Sequence, residues 1–371
     1  MSVHIDVGGL SPENVSVTLS PLAELGMALH ALAEPDHHPG LQSWARTISA
    51  GLDADLADRL CEADFLWRTT YSDVFFPFAG LPGGRAAPAG TLVGELDQLD
   101  ELTDRQFVDA ALEFTQEPSY GGPVPDPLGC AVDRRRALEL AMARGPEQYR
   151  FTRRLLHDPS VIRAWLRTLL QDCEDAFFGD VWARVRGQLT ADARHKKELL
   201  RRKGLAETLT TVKAVSLDEK SAEITVDKLA VGRTRTGGGG LALVPTSLGW
   251  PHHMVLHRLD WQPVIHYPVA SPALSTGTAA APSVEELVLR MEALAHPVRI
   301  RLCRHLARGV YTTSELADAH AMTAPEISRH LTVLKKAGLV TTKRRGRYVQ
   351  HHLDLPVVAR LSSDFIEGLL R

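Results

Sequence analysis

The sequence predicts an α+β chain: a mostly helical front part with a small antiparallel sheet, then a compact terminal module of helices closed by a hairpin. Three observations carry that prediction. Residues 269–282 are small, uncharged and interrupted by two prolines, which marks a linker between two bodies. After it, helix-start signatures follow one another at short range. Before it, a long tract of helical periodicity gives way to short β-branched runs separated by turn residues.

A chain of 371 residues suggests two or three domains, and 44% hydrophobic with 23% charged residues is ordinary for a globular protein. No run of about 18 uncharged apolar residues exists to cross a bilayer. The start, Met1 to Asp6, lacks the basic and apolar regions of a secretory signal, so the expected place is the cytoplasm. Cys61, Cys130, Cys173 and Cys303 lie far apart with no Cys-x-x-Cys pair, and are expected as reduced thiols. The net charge of −3 hides an asymmetry: residues 283–371 carry 14 basic and 9 acidic side chains, residues 1–282 carry 28 and 36. A basic end on an acidic body fits a small nucleic-acid-binding unit attached to another domain.

In the front part, residues 1–268, helices are expected over 20–204. Ser20-Pro21 caps the first, with Leu22, Leu25 and Leu29 on one face. Val161, Trp165, Leu169 and Cys173 recur every four residues further on. Loops interrupt at 80–90 and at 117–129, the latter with four prolines. Over 208–268, the segments 208–217, 222–226, 241–244, 254–257 and 263–267 read as a small antiparallel sheet or meander. The glycine run 237–240 lacks the context of a phosphate loop and reads as a flexible connection.

The terminal module, residues 283–371, can be taken helix by helix. Ser283 and Glu286 form a capping box before a helix with Leu287, Met291 and Leu294 in a stripe. Pro297 starts a second helix, with Ile300, Cys303, Leu306 and Ala307 expected inward and its arginines mostly outward. Two further capping boxes, Thr312 with Glu315 and Thr323 with Glu326, open a short and a longer helix separated by a tight turn. Short helix, turn and longer helix make a helix-turn-helix. On the longer one, Ile327, Leu331, Leu334 and Gly338 share a face expected to pack. Pro325, Arg329, Thr332 and Lys336 lie opposite, flanked by Ser328, and suit the donors, acceptors and methyl groups of a major groove. Gly338 should end the helix in the left-handed conformation. A hairpin follows, 340–343 and 348–353 joined by 344–347. From Lys335 to Arg347 there are six basic residues and no acidic one, the composition of a phosphate-gripping wing. Pro356 begins a last helix with Leu361, Phe365 and Leu369 apolar.

Residues 292–301 (Glu292-Ala293-Leu294-Ala295-His296-Pro297-Val298-Arg299-Ile300-Arg301), Ser314-Glu315-Leu316-Ala317, and Ser328-Arg329-His330-Leu331-Thr332 through Gly338-Leu339-Val340 resemble the arsenic-repressor (ArsR) family of winged-helix regulators. The resemblance covers the last quarter of the chain. It implies a transcription regulator, usually a repressor, binding a double-stranded operator as a homodimer through its first and last helices. On this reading Thr323, Pro325, Ser328, Arg329, His330, Thr332, Lys335, Lys336, Arg344, Arg345, Arg347 and Tyr348 meet DNA. Leu287, Met291, Leu361, Phe365 and Leu369 form the dimer face. Ala321 departs from the glycine common in the family's turn, and Glu326 places an acid near phosphate, where it is expected to serve the cap. The front part loosely resembles the uncharacterised domain preceding such a module in some long actinobacterial regulators, most clearly at Val244-Pro245-Thr246-Ser247-Leu248-Gly249-Trp250-Pro251.

The family's metal positions are not filled. Residues 311–315 contain no cysteine, and no histidine follows His352, so Asp354, Asp364 and Glu367 stand alone. His252, His253, His257 and His266 cluster in sequence but are expected to be structural, since strand alternation separates neighbours. No cofactor is expected, and no nucleophile elbow, dinucleotide fingerprint or His-Glu-x-x-His marks an enzyme. The alternatives are a repressor with a metal site of its own or a bifunctional chain with an enzymatic front part. Trp67, Tyr71 and Phe75, near Phe76 and Phe78, read as core packing. The competing reading is an aromatic pocket for a small-molecule effector.

Overall fold

The structure, a computed structural model, describes residues 2–68, 72–81, 87–112, 125–212, 214–227, 232–236, 240–250, 252–256, 258, 260–269, 284–345 and 348–361. The chain divides into two compact units.

The front unit opens with strands β1 (Ser2–Asp6) and β2 (Val15–Val17). Helices follow: α1 (Pro21–Ala33), α2 (Gln42–Gly51), α3 (Ala54–Ala63), α4 (Leu92–Glu101), α5 (Asp104–Ala111), α6 (Ala131–Arg144), α7 (Pro146–His157), α8 (Pro159–Cys173) and α9 (Gly179–Thr210). Strands β3 (Val215–Asp218), β4 (Glu223–Asp227), β5 (Gly232–Arg235), β6 (Leu241–Thr246), β7 (Met254–Leu256) and β8 (Val264–Pro268) complete it.

These strands form two four-stranded sheets, ordered β3-β4-β1-β5 and β2-β6-β8-β7. Two expectations are corrected here. β1 and β2 join the sheets from the extreme N-terminus, and β1 pairs antiparallel with β4, so Val3 meets Val226. No local turn signals a partner more than 200 residues away. The second correction is direction. β2, β6 and β8 run parallel, with only β7 antiparallel, so the second sheet is not a meander. Its strands are buried along β6, as parallel strands covered on both faces are. The helix also runs further than expected: Thr208 belongs to the end of α9, its hydroxyl donating to the Gly204 carbonyl at 2.8 Å.

α1 starts where Ser20 accepts the Ala23 amide at 3.0 Å, with Pro21 in the first turn. It is buried from Pro21 through Ala31, as a central helix with apolar residues all round must be. Two carboxyl groups are buried with it. Glu24 accepts the amides of Ser247 and Leu248 at 3.0 and 3.2 Å, tying α1 to the loop after β6. Glu95, on α4, accepts the Ser20 hydroxyl at 2.6 Å and the Leu22 amide at 3.0 Å. Burial raises the Glu24 pKa to about 7 and that of Glu95 to about 8, against the lowering effect of these hydrogen bonds.

Trp67, Phe75, Phe76 and Phe78 are all buried, with Trp67 and Phe75 edge to face at 6.5 Å, as core packing expects. Tyr71 lies outside the described residues. His266 is buried too, with Nδ1 bonded to the Val244 carbonyl at 3.0 Å, and burial lowers its pKa to about 4. It is a structural histidine. His252 and His253 precede β7 and escape the strand alternation invoked for them, and His257 lies outside the described residues.

The terminal unit contains α10 (Val284–Leu294), α11 (Pro297–Leu306), β9 (Tyr311–Thr312), α12 (Thr313–His320), α13 (Ala324–Lys336), β10 (Val340–Arg345) and β11 (Tyr348–Leu353). Residues 355–361 are helical. Its core gathers Ala293, Leu302, Leu306, Leu316, Ile327, Leu331, Leu334 and Leu339. On α11 the inward side is Leu302 and Leu306, while Ile300 is 42% exposed and Ala307 exposed, which rotates the expected face. Cys303 is half-buried, and its thiol is pushed up to about 11 by burial. That of Cys173 rises to about 12, so neither is primed as a nucleophile. Among the described residues no helix is long and apolar enough to cross a membrane.

Candidate nucleic-acid interface

The helix-turn-helix is built by its caps. The Thr312 amide and hydroxyl donate to Glu315 at 2.7 and 2.8 Å, and Thr323 does the same to Glu326 at 2.9 and 2.8 Å. These bonds, the backbone one first, hold both carboxyls below their usual range, so each stays ionised at its helix N-terminus. Glu326 is thereby occupied as a cap partner, as expected. At the end of α12 the Met322 amide reaches the Ala317 carbonyl and Ala321 adopts φ 51°, the left-handed turn despite its methyl group. α13 ends in the same manner: the Leu339 amide bonds to Leu334 at 2.9 Å, with Gly338 at φ 70°. Gly338 is therefore an exposed cap, and Ala337 takes its expected place on the packed face.

Ile327, Leu331 and Leu334 bury α13 against the core, and the opposite side is open. Thr323, Pro325, Ser328, Arg329, Thr332, Lys335 and Lys336 are exposed, and His330 is half-buried. The hairpin is longer than expected, since β10 runs to Arg345, placing Arg344 and Arg345 in the strand. β9 adds a third strand, Tyr311 opposite His351, too short to be seen in sequence. Arg344 is exposed, as is Lys343, which the reading of the sequence had not singled out. For Arg345 and Tyr348 the register alone is described, one opposite the other, and Arg347 lies outside the described residues.

In the front unit Arg59, Arg163, Arg167 and Arg258 are met by carboxylates, for example Arg258 by Asp73 at 2.9 Å. Among the described residues, none of Arg329, Lys335, Lys336, Lys343 or Arg344 has a carboxylate within ion-pair distance. A line of exposed cations without a direct ion pair is suited to phosphate, with Glu326 the acid that acts on Arg329 through space.

The apolar residues assigned to a dimer face divide. Leu361 is buried at 9% exposure because the unit's core uses it, and Leu287 is buried at 4% exposure without being part of that core. Met291 stays 38% exposed, and Val288, three residues before it and on the same side of α10, is 49% exposed; Leu289, at 38%, lies on the opposite side. Phe365, Leu369 and Ser283 lie outside the described residues. Arg299 is not outward: its guanidinium donates to the carbonyls of Ala293 and Glu292, capping the end of α10. Among the described residues of this unit, no three histidine, cysteine or acidic side chains gather as metal ligands.

Residues 294–343 match a helix-turn-helix domain family, and residues 1–273 match a family of unknown function, DUF5937. The biofilm growth-associated repressor of Agrobacterium fabrum is 32% identical over 102 residues, 26% of this chain and 86% of that protein. A probable mercury resistance operon repressor of Streptomyces lividans is 33% identical over 24% of this chain and 76% of its own length. The crystal structure of the transcriptional repressor BigR from Xylella fastidiosa is 28% identical, covering 21% of this chain and 85% of that one at a TM-score of 0.18. The chain belongs to the DUF5937 family, and its last quarter is a winged helix-turn-helix of the arsenic-repressor type found in transcription regulators.

Proposed function

We propose that the protein is a sequence-specific repressor acting as a homodimer, whose front unit responds to a small molecule or mediates oligomerisation. The observation that carries the DNA-binding part is the exposed cation line on α13 and the wing. The named repressors among its relatives support the sign of regulation. Ser328, Arg329 and Thr332, with Thr323 and Pro325 at the helix start, would face base edges. Lys335, Lys336 and the wing residues Arg344, Arg345, Arg347 and Tyr348 would hold phosphates.

Incubation of the full-length protein with a random duplex pool is expected to enrich one sequence family with paired half-sites. Their centres should lie about 34–36 Å apart or a multiple of that, on one face of the duplex. Recovery of sequences with no shared element would count against specific recognition.

Dimerisation is expected through the apolar side of α10. Val288→Glu with Met291→Glu should convert a dimer to a monomer in sedimentation at concentrations where wild-type protein binds its operator, because neighbouring carboxylates cannot be desolvated there. A wild-type protein that sediments as a monomer under those conditions would remove the dimer from the proposal. Limited proteolysis should cut first within 269–282 and leave a folded terminal fragment. Earlier cleavage inside 290–350 would place the boundary elsewhere.

A further inference from the structure

One side chain on the outward half of α13 is not simply exposed. His330 is half-buried, and its ring centroid lies 5.0 Å from that of His296, with the planes inclined by 44°. His296 is the N-cap of α11, and its Nδ1 accepts the Val298 amide at 3.2 Å. Around His330 stand His296 and Arg299 of α11, and Arg329 and Glu326 of its own helix. Burial and then the three cationic or basic neighbours hold its pKa below the usual histidine value, and Glu326 opposes them. In the free protein the ring is therefore neutral at pH 7.

We propose that His330 is a proton-dependent phosphate contact, so that operator binding takes up a proton and tightens as the pH falls. This rests on the DNA-binding reading above. A phosphate seated beside α13 brings a negative charge next to the imidazole and favours its protonated form. The imidazolium then makes a charge-assisted hydrogen bond, stronger than one from a neutral ring. Before binding, among the described residues, the cap-engaged Glu326 is the acid that acts on the ring, and Arg299 and Arg329 disfavour the charge. The two states of the protein therefore prefer different protonation states at one atom. Linkage then changes Kd by up to about tenfold per pH unit in the window between the two pKa values. His330 thus makes affinity for the same DNA depend on acidity, separately from any effector held by the front unit.

The experiment uses full-length protein and a fluorescent duplex recovered from the random pool, beside a scrambled duplex, at constant ionic strength from pH 5.5 to 8.5. Wild-type Kd should tighten by roughly tenfold between pH 8 and pH 6. His330→Gln should lose the tightening, its affinity staying nearly constant across the pH range. His330→Lys should bind tightly with little dependence on pH in that range. His296→Asn keeps a cap acceptor and removes the second ring, so the tightening should begin at higher pH. Because each variant is compared with wild type, other titrating groups cancel. A His330→Gln protein with the wild-type pH slope overturns the inference and leaves the DNA-binding reading standing. So does a uniform loss of affinity at every pH, which would mark His330 as structural. If wild-type protein bound neither duplex at any pH, the DNA-binding reading and this inference would fall together.

Discussion

Replacing Glu24 with glutamine is expected to stabilise the front unit at pH 8.5 and leave it almost unchanged near pH 5. Glutamine keeps a carbonyl oxygen for the amides of Ser247 and Leu248, so the tie between α1 and the loop after β6 survives. What it removes is ionisation. The folded-state pKa is raised from 4.5 to about 7, so between those values the folded carboxyl holds a proton that the unfolded one has released. Stability must then fall as pH rises through this window and level off above the folded pKa. That is the reverse of a salt-bridged carboxylate. Glu95, raised to about 8, adds the same trend over a wider range. Each group contributes a slope of about 1.4 kcal/mol per pH unit, and the loss at pH 8.5 is on the order of 3–5 kcal/mol for one residue. In a unit of this size that is a shift of roughly 2–4 °C in Tm per kcal/mol. Thermal denaturation at pH 5 and pH 8.5 of wild type, Glu24→Gln, Glu95→Gln and the double variant decides it. Variants less stable than wild type by the same amount at both pH values would mean that both carboxylates are ionised in the fold.

Legibility of the fold in the sequence followed the range of the interactions. The terminal unit was read closely because its determinants are local. Thr312 with Glu315 and Thr323 with Glu326 lie three residues apart, and the stripe of Ile327, Leu331 and Leu334 repeats within two turns. What failed there was also physical. Two-residue β9 has no pattern of its own, and the inward face of α11 differs from the expected one because Arg299 turns back to cap α10. Leu361 looked surplus to one small core, yet it is part of that core. In the front unit the helices were visible, but pairing was not. β1 finds its partners in β4 and β5, and β2 finds its own in β6, all far along the chain. The buried carboxyls were invisible for a related reason. Glu24 and Glu95 sit in ordinary helical sequence, and only the closure of distant segments over them reveals what burial does to their charge.

Arg329→Ala and Arg344→Ala should weaken DNA binding in different ways, and the contrast tests the division of labour proposed for α13 and the wing. Arg329 is exposed in the second turn of α13, between Ser328 and His330, with no carboxylate in a direct ion pair with it. Its planar fork matches the two acceptors of guanine in the major groove. Truncation should cost about 1–3 kcal/mol on the selected sequence, a loss of roughly 5- to 150-fold, and much less on a scrambled duplex. Arg344 stands on β10, beside exposed Lys343, where the hairpin offers charge without the reach of a helix into the groove. Its removal should weaken both duplexes alike and reduce the slope of log K against log salt by about one unit. Titrations at several salt concentrations with both duplexes separate these effects, because nonspecific affinity grows at low salt while discrimination does not. Loss of discrimination in Arg344→Ala, with Arg329→Ala still selective, would exchange the roles of helix and wing. Unchanged affinity in both, for either duplex, would mean that the exposed cations of α13 and β10 serve something other than DNA.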